Sequence, residues 1–185
     1  MKFEGSFKVA GKPEDIIVKF TDVPRMARCM PGATIEGQDE EGNYTGVIVV
    51  AFGPKKIKFK GKMSCEFNIP QCSGVLKGRG AADMRAARVG VQTHFAVKPD
   101  PASDADNPVS IVSINSEAEL GGVIADFAKT GGTALANVLM KDFANNLAAE
   151  FARDEASEPT EAKAISAHKV IWSAVKSKFG SSETE

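Results

Sequence analysis

The sequence predicts an α+β domain in which one curved antiparallel sheet wraps around a long C-terminal helix. Three observations lead there. A strictly alternating segment opens the chain, and two short helices follow it. From Thr34 to Leu120 the chain reads almost entirely as short strands joined by turn signals, with the clearest period-two alternation in Lys55–Ile69. Beyond Gly121 the spacing turns helical in a stretch rich in Ala, Leu and Phe, long enough to cover one face of such a sheet.

Each element has a local reason. Lys2–Val9 sets Phe3, Gly5, Phe7 and Val9 on one face and Lys2, Glu4, Ser6 and Lys8 on the other. Gly11-Lys12-Pro13-Glu14-Asp15 then turns the chain, with proline at a first helical position and acids in the first turn, so a helix runs to about Thr21. Pro24 opens a second short helix that ends before Pro31-Gly32. The strand Thr34–Gln38 leads into the acidic turn Asp39-Glu40-Glu41-Gly42-Asn43, and Tyr44–Phe52 ends at Gly53-Pro54. Lys55–Ile69 places Ile57, Phe59, Met63, Cys65 and Phe67 opposite Lys56, Lys58, Lys60 and Lys62. After a turn at Pro70–Ser73 come the shorter strands Val75–Gly80 and Val89–Val97. Asp100–Pro108 is an acidic, proline-bearing loop, and Val109–Leu120 closes the series.

The covering helix spans Gly121–Ala152, with Ile124, Phe127, Leu135, Leu139, Leu147 and Phe151 at helical spacing. Gly131-Gly132 predicts a kink or break, because each glycine costs about 1 kcal/mol relative to alanine in a helix. Arg153–Thr160 is polar and acidic and reads as a linker. Thr160 before it and Gly180 after it bound a further helix, Glu161–Phe179. The expected division is therefore a domain over 1–152, a linker over 153–160 and a tail over 161–185.

Composition narrows the chemistry. A chain of 185 residues buries enough surface to fold without a metal or disulfides. Two histidines, three cysteines, one tyrosine and one tryptophan exclude a zinc finger, a multi-histidine metal site and a disulfide scaffold. The net charge of −1 excludes a globally basic nucleic-acid binder. The lysines of Lys55–Lys62 lack aromatic residues on their own face, so they read as a solvated strip able to meet anionic lipid or an acidic protein. The N-terminus has no apolar signal region, no stretch approaches the roughly 18 apolar residues of a spanning helix, and the cysteines lack paired spacing. The expected location is cytoplasmic, peripheral on the inner face of the cytoplasmic membrane.

Strand, two short helices, six strands and a long helix is the order of the helix-grip fold. Within it stand Met1-Lys2-Phe3-Glu4-Gly5-Ser6-Phe7 and Cys29-Met30-Pro31-Gly32-Ala33. Tyr44 and Gly46 with Gly53-Pro54, then Lys58-Phe59-Lys60-Gly61-Lys62, then Gly121-Gly122, complete a set of markers. In their order and spacing, residues 1–152 resemble the G-subunit family of carbon monoxide dehydrogenase, part of the START-like (SRPBCC, polyketide-cyclase-like) superfamily. Two loops depart from it: Ala81–Arg88, with Asp83, Met84, Arg85 and Arg88, is more charged than expected, and Asp100–Pro108 is long and acidic. The resemblance implies an apolar cavity between sheet and helix, and an isoprenoid quinone such as menaquinone as its ligand. It also implies a link between a carbon monoxide dehydrogenase or related molybdenum hydroxylase and the membrane electron-transport chain. The alternatives are an enzyme of the polyketide-cyclase type in the same cavity, which a buried polar cluster around Tyr44, Asp83 or Arg88 would favour, and a structural recruiter with a filled core.

The residues themselves offer little for catalysis. His94 alternates with Val91, Thr93, Phe95 and Val97 and so faces solvent, and Cys29, Cys65 and Cys72 have no basic neighbour to activate them. Gly78-Arg79-Gly80 and Gly131-Gly132 lack the rest of a phosphate loop. No catalytic residue, metal ligand or covalent cofactor is expected. A binding pocket is. Its strand positions are Phe7, Tyr44, Ile48, Val50, Phe59, Met63, Phe95 and Ile114, with Met26 and Met30 as adaptable linings from the short helices. The helix contributes Ile124, Phe127, Gly131 and Leu135, and its small residues can leave space, although the same pattern also suits a packed core.

At 100° per residue, the tail helix gathers Ala164, Ile165, His168, Ile171, Trp172, Val175 and Phe179 on one face. Lys163, Lys169, Lys176 and Lys178 flank it. A basic amphipathic helix with Trp and Phe on its apolar side fits a membrane surface, a partner protein or its own domain. The residues expected to make that contact are Ile165, Lys169, Ile171, Trp172, Val175, Lys176 and Phe179.

Overall fold

Alternation along seven segments produces seven strands. The computed structural model describes residues 1–52, 55–82, 86–126, 129 and 131–157. Its strands are β1 (Lys2–Ala10), β2 (Ala33–Gln38), β3 (Tyr44–Phe52), β4 (Lys55–Asn68), β5 (Ser73–Ala81), β6 (Arg88–Pro99) and β7 (Val109–Gly121). They form one antiparallel sheet in the order β1-β7-β6-β5-β4-β3-β2. The strands from β2 to β7 follow one another as a meander, and β1 closes against β7 with Phe7 opposite Val112. The helices α1 (Pro13–Phe20) and α2 (Val23–Cys29) lie between β1 and β2 in the chain, and α3 (Gly132–Ser157) follows β7. The chain forms two compact units, Met1–Arg153 and Asp154–Glu185, and the sheet belongs to the first. The tail over 161–185, with its seven expected contact residues, lies outside the described residues.

The expected helix does not run on directly from Gly121. Gly121 ends β7, and Gly122–Ile124 forms a single 3-10 turn in which Gly122 adopts φ +67. That left-handed backbone is open to glycine at little cost and turns the chain off the sheet. The helix proper begins at the second glycine pair, at Gly132, where the sequence predicts a break. At the other end it runs through Ser157, so 153–157 of the expected linker are helical. Ala and Glu are good helix formers, and no glycine or proline precedes Pro159 there.

Curvature has a backbone cause. Cross-strand register puts Ile35, Gly46, Gly61, Gly80, Val89 and Leu120 in one row on the concave face. A Cβ on Gly46 would fall on the carbonyl oxygen of Thr34, and one on Gly61 on that of Arg79. The strands fold over one another there, and β2 carries a bulge between Ile35 and Gly37 beside the bend.

The bent sheet and α3 bury two separate apolar clusters. One joins β1, β6 and β7 to α1, α2 and the second half of α3 through Val9, Ile16, Ile17, Phe20, Val97, Val112, Leu147 and Phe151. The other joins Val50, Ile57 and Phe59 to Ala87 and Ile124, with Leu135 packed against them. Polar ties fix the first cluster. Arg25 Nε donates to Glu150 Oε1 at 2.9 Å, and Asn146 Nδ2 donates to the Cys29 carbonyl at 3.0 Å. Lys19 Nζ sits 4.7 Å from the centre of the Phe151 ring.

Two stability predictions follow from this geometry. Gly61→Ala should lose about 2 kcal/mol or more in urea unfolding, because backbone must move to admit the methyl. Gly90→Ala, where nothing lies within 4 Å of the new Cβ, should stay within about 0.5 kcal/mol of the parent. The β2–β3 turn adds an acid-sensitive contact: the hydrogen bond from Lys62 Nζ, at 2.9 Å, holds Asp39 down at about 2 against an ordinary 3.8. A carboxyl depressed by folding stabilises above its unfolded pKa and loses that contribution as pH falls through the folded one. Asp39→Asn should therefore flatten the decline in stability between about pH 4 and pH 2, measured by urea midpoints.

Candidate functional site

Between the two clusters the interior is not filled. A cavity of ≈ 510 Å³ opens between the concave face of the sheet, α2 and the first half of α3. Register explains its wall. The row Tyr44, Met63, Gly78, Val91 and Ala118 runs beside the glycine row, and Cys65, Leu76, Thr93, Ser116 and Phe3 form the next. The small residues Gly78, Gly80 and Ala118 leave the space that larger ones would fill. From the helical side, Leu135, Ala136, Leu139, Met140 and Phe143 face inward, a 3–4 residue spacing that marks one face of α3.

Twelve expected lining residues are in this wall: Phe7, Met26, Met30, Tyr44, Ile48, Val50, Phe59, Met63, Phe95, Ile114, Ile124 and Leu135. Gly131 is not. It precedes the first turn of α3 and offers its carbonyl to Leu135 N at 3.0 Å, while Gly132 takes the place on the wall. Phe127 lies outside the described residues. Phe3, Phe20, Leu76, Val89, Val91, Thr93, Ser116 and Met140 also line the cavity, beyond the residues expected from the sequence. For Val91 and Thr93 the signal is present in the chain, since both share the period of Phe95.

The wall is nearly all apolar. Lys62 and Arg79 touch it, but alternation puts their side chains on the face opposite Met63 and Gly78, where Lys62 engages Asp39. Arg88 is exposed at the start of β6 and outside the wall, so it does not join Tyr44; Asp83 lies outside the described residues. Burial pushes the Cys65 thiol up to about 11; it also raises Cys29, outweighing Arg25, Arg28 and Arg153, basic neighbours that the sequence reading did not count, and all three cysteines are free of disulfides. A protonated thiol is a poor nucleophile. His94 is exposed, its Nε2 2.9 Å from Gln92 Nε2. Among the described residues no group of His, Cys, Asp and Glu is placed to hold a metal ion, and no helix is long and apolar enough to cross a membrane. The arrangement suits non-covalent retention of an apolar molecule, within the usual size range of ligand sites.

The thiol gives a direct check on this environment. In a Cys29→Ser, Cys72→Ser background, Cys65 should alkylate with iodoacetamide at pH 7.5 about a hundredfold more slowly than an ordinary thiol, as its thiolate fraction dictates. Mass spectrometry over time reads the rate.

Solved structures share the architecture. A conserved protein from Geobacillus kaustophilus is 19% identical with a TM-score of 0.69, over 83% of this chain and 97% of that one. A protein from Thermus thermophilus is 9% identical with a TM-score of 0.57, over 83% and 99%. XoxI from Bacillus cereus is 14% identical with a TM-score of 0.56, over 83% and 97%. At these identities the likeness establishes the fold alone, a curved antiparallel sheet with a C-terminal helix. No curated protein matches the chain in sequence. The model of the carbon monoxide dehydrogenase G-subunit family (CoxG) matches residues 5–152, and the chain belongs to that family.

Proposed function

We propose that the protein is a non-catalytic accessory protein that carries an isoprenoid quinone, such as menaquinone, in its cavity. The quinone links a carbon monoxide dehydrogenase or related molybdenum hydroxylase to the membrane electron-transport chain. The observation that carries this reading is the apolar cavity held open between two separately packed clusters. Each buried methylene contributes about 0.8 kcal/mol, so a ring and the start of its chain suffice for retention. Family membership supports the choice of partner enzyme. The wall favours holding over chemistry, with a thiol kept protonated and neither His94 nor Arg88 turned inward. Membrane access is assigned to the basic amphipathic tail, through Ile165, Lys169, Ile171, Trp172, Val175, Lys176 and Phe179, at the inner face of the cytoplasmic membrane.

The full chain purified from a quinone-producing host should release quinone on solvent extraction, identified by mass spectrometry. Ala118→Trp, which fills the wall, should lose most of it while keeping its melting temperature. A preparation free of apolar small molecules even after incubation with quinone-loaded liposomes contradicts the carrier reading. Flotation with liposomes should fall several-fold when residues 160–185 are removed. Unchanged flotation removes the tail as anchor.

A further inference from the structure

The wall is not wholly apolar: Thr34, Tyr44, Thr93 and Ser116 carry hydroxyls, and two of these are paired with each other. Thr93 Oγ1 and Ser116 Oγ lie 2.8 Å apart on adjacent central strands, directly opposite in register. Both residues line the cavity and both are half-buried. One hydroxyl donates to the other, which consumes one of the two protons. Neither side chain has another hydrogen-bond partner among the described residues. The second O–H and the unused lone pairs therefore face the cavity.

We infer that the Thr93–Ser116 pair is the polar pole of the cavity, where an uncharged oxygen of an otherwise apolar ligand is held by a hydrogen bond. The inference rests on the carrier reading above and adds the orientation of the guest. A ligand covering this pair without offering it an acceptor would leave a buried donor unpaired, which is costly, so the pair selects for oxygen at one point on a hydrophobic body. The oxygen is neutral, because alternation carries the Lys62 and Arg79 side chains on the opposite face and the Met1 ammonium is engaged by the Ala118 carbonyl. Phe3 and Leu76 complete the same row, and Phe95 and Ile114 the row beside it, so a planar ring bearing that oxygen lies against apolar side chains on both sides. A hydroxyl both donates and accepts. The pair thus holds a ring carbonyl and, turned round, the hydroxyl of its reduced form, without any titrating protein group.

The test compares two probes of equal shape, a 2-methyl-3-decyl-1,4-naphthoquinone and the corresponding decyl-methylnaphthalene without oxygens. Affinities are read by displacement of an apolar fluorescent dye from the full chain. The parent should prefer the quinone roughly tenfold, the value of one net hydrogen bond. Thr93→Val with Ser116→Ala should abolish that preference without weakening hydrocarbon binding, since the cost of covering an unpaired donor goes with the hydroxyls, and Thr93→Ser should retain it. Retained hydrocarbon binding also certifies that the double variant is folded. Equal affinities in the parent, or a preference surviving the double substitution, overturn the polar pole and leave the carrier reading intact. Failure of the parent to bind either probe overturns the carrier reading itself.

Discussion

Backbone meeting backbone at Gly46 and Gly61 is the contact on which the rest of the molecule depends. A side chain at either position would land on a carbonyl oxygen of the neighbouring strand. Only a residue without Cβ lets β2, β3, β4 and β5 fold together that closely. Because the sheet bends there, its two ends meet α3 separately instead of packing as one layer. Leu147 and Phe151 join the cluster beneath α1 and α2, while Leu135 joins the cluster around Phe59. The space between them, beside Gly78, Gly80 and Ala118, is the cavity.

Anchorage of α3 is uneven in a way that suits a guest. The bonds from Arg25 to Glu150 and from Asn146 to Cys29, and the cation over Phe151, all act on its second half. Its first half reaches the wall through apolar side chains such as Leu135 and Leu139. Apolar contact is non-directional, and an apolar ligand can share that boundary without leaving a polar group unpaired.

Much of this was legible in the chain. The acidic turn before it and Gly53-Pro54 after it placed β3 at Tyr44–Phe52 without error, and alternation placed β4 to within one residue. Proline at the start of α1 and in the first turn of α2 marked both short helices. Gly131-Gly132 marked the start of α3 as a break, but the 3-10 turn after β7 was not legible, since Ile124 continues a helical spacing that Gly122 breaks in the backbone. The far wall of the cavity was read only in part. β5 is so rich in glycine that its periodicity is weak, and a small polar residue such as Ser116 carries no hydrophobic signal. The markers Gly46 and Gly61 were recognised as a pattern, and their physical meaning, the bend, needed the register.

A titration watched by methyl NMR tests the central claim, an open cavity that receives an apolar ligand. With an alkyl naphthoquinone added to the full chain, methyl resonances of Ile48, Met63, Ile114 and Leu135 should shift together and saturate. Those of Val18 and Val138, exposed on the outer faces of α1 and α3, should not move. Shifts confined to the exposed methyls, or no saturable shift at the interior ones, would contradict the account.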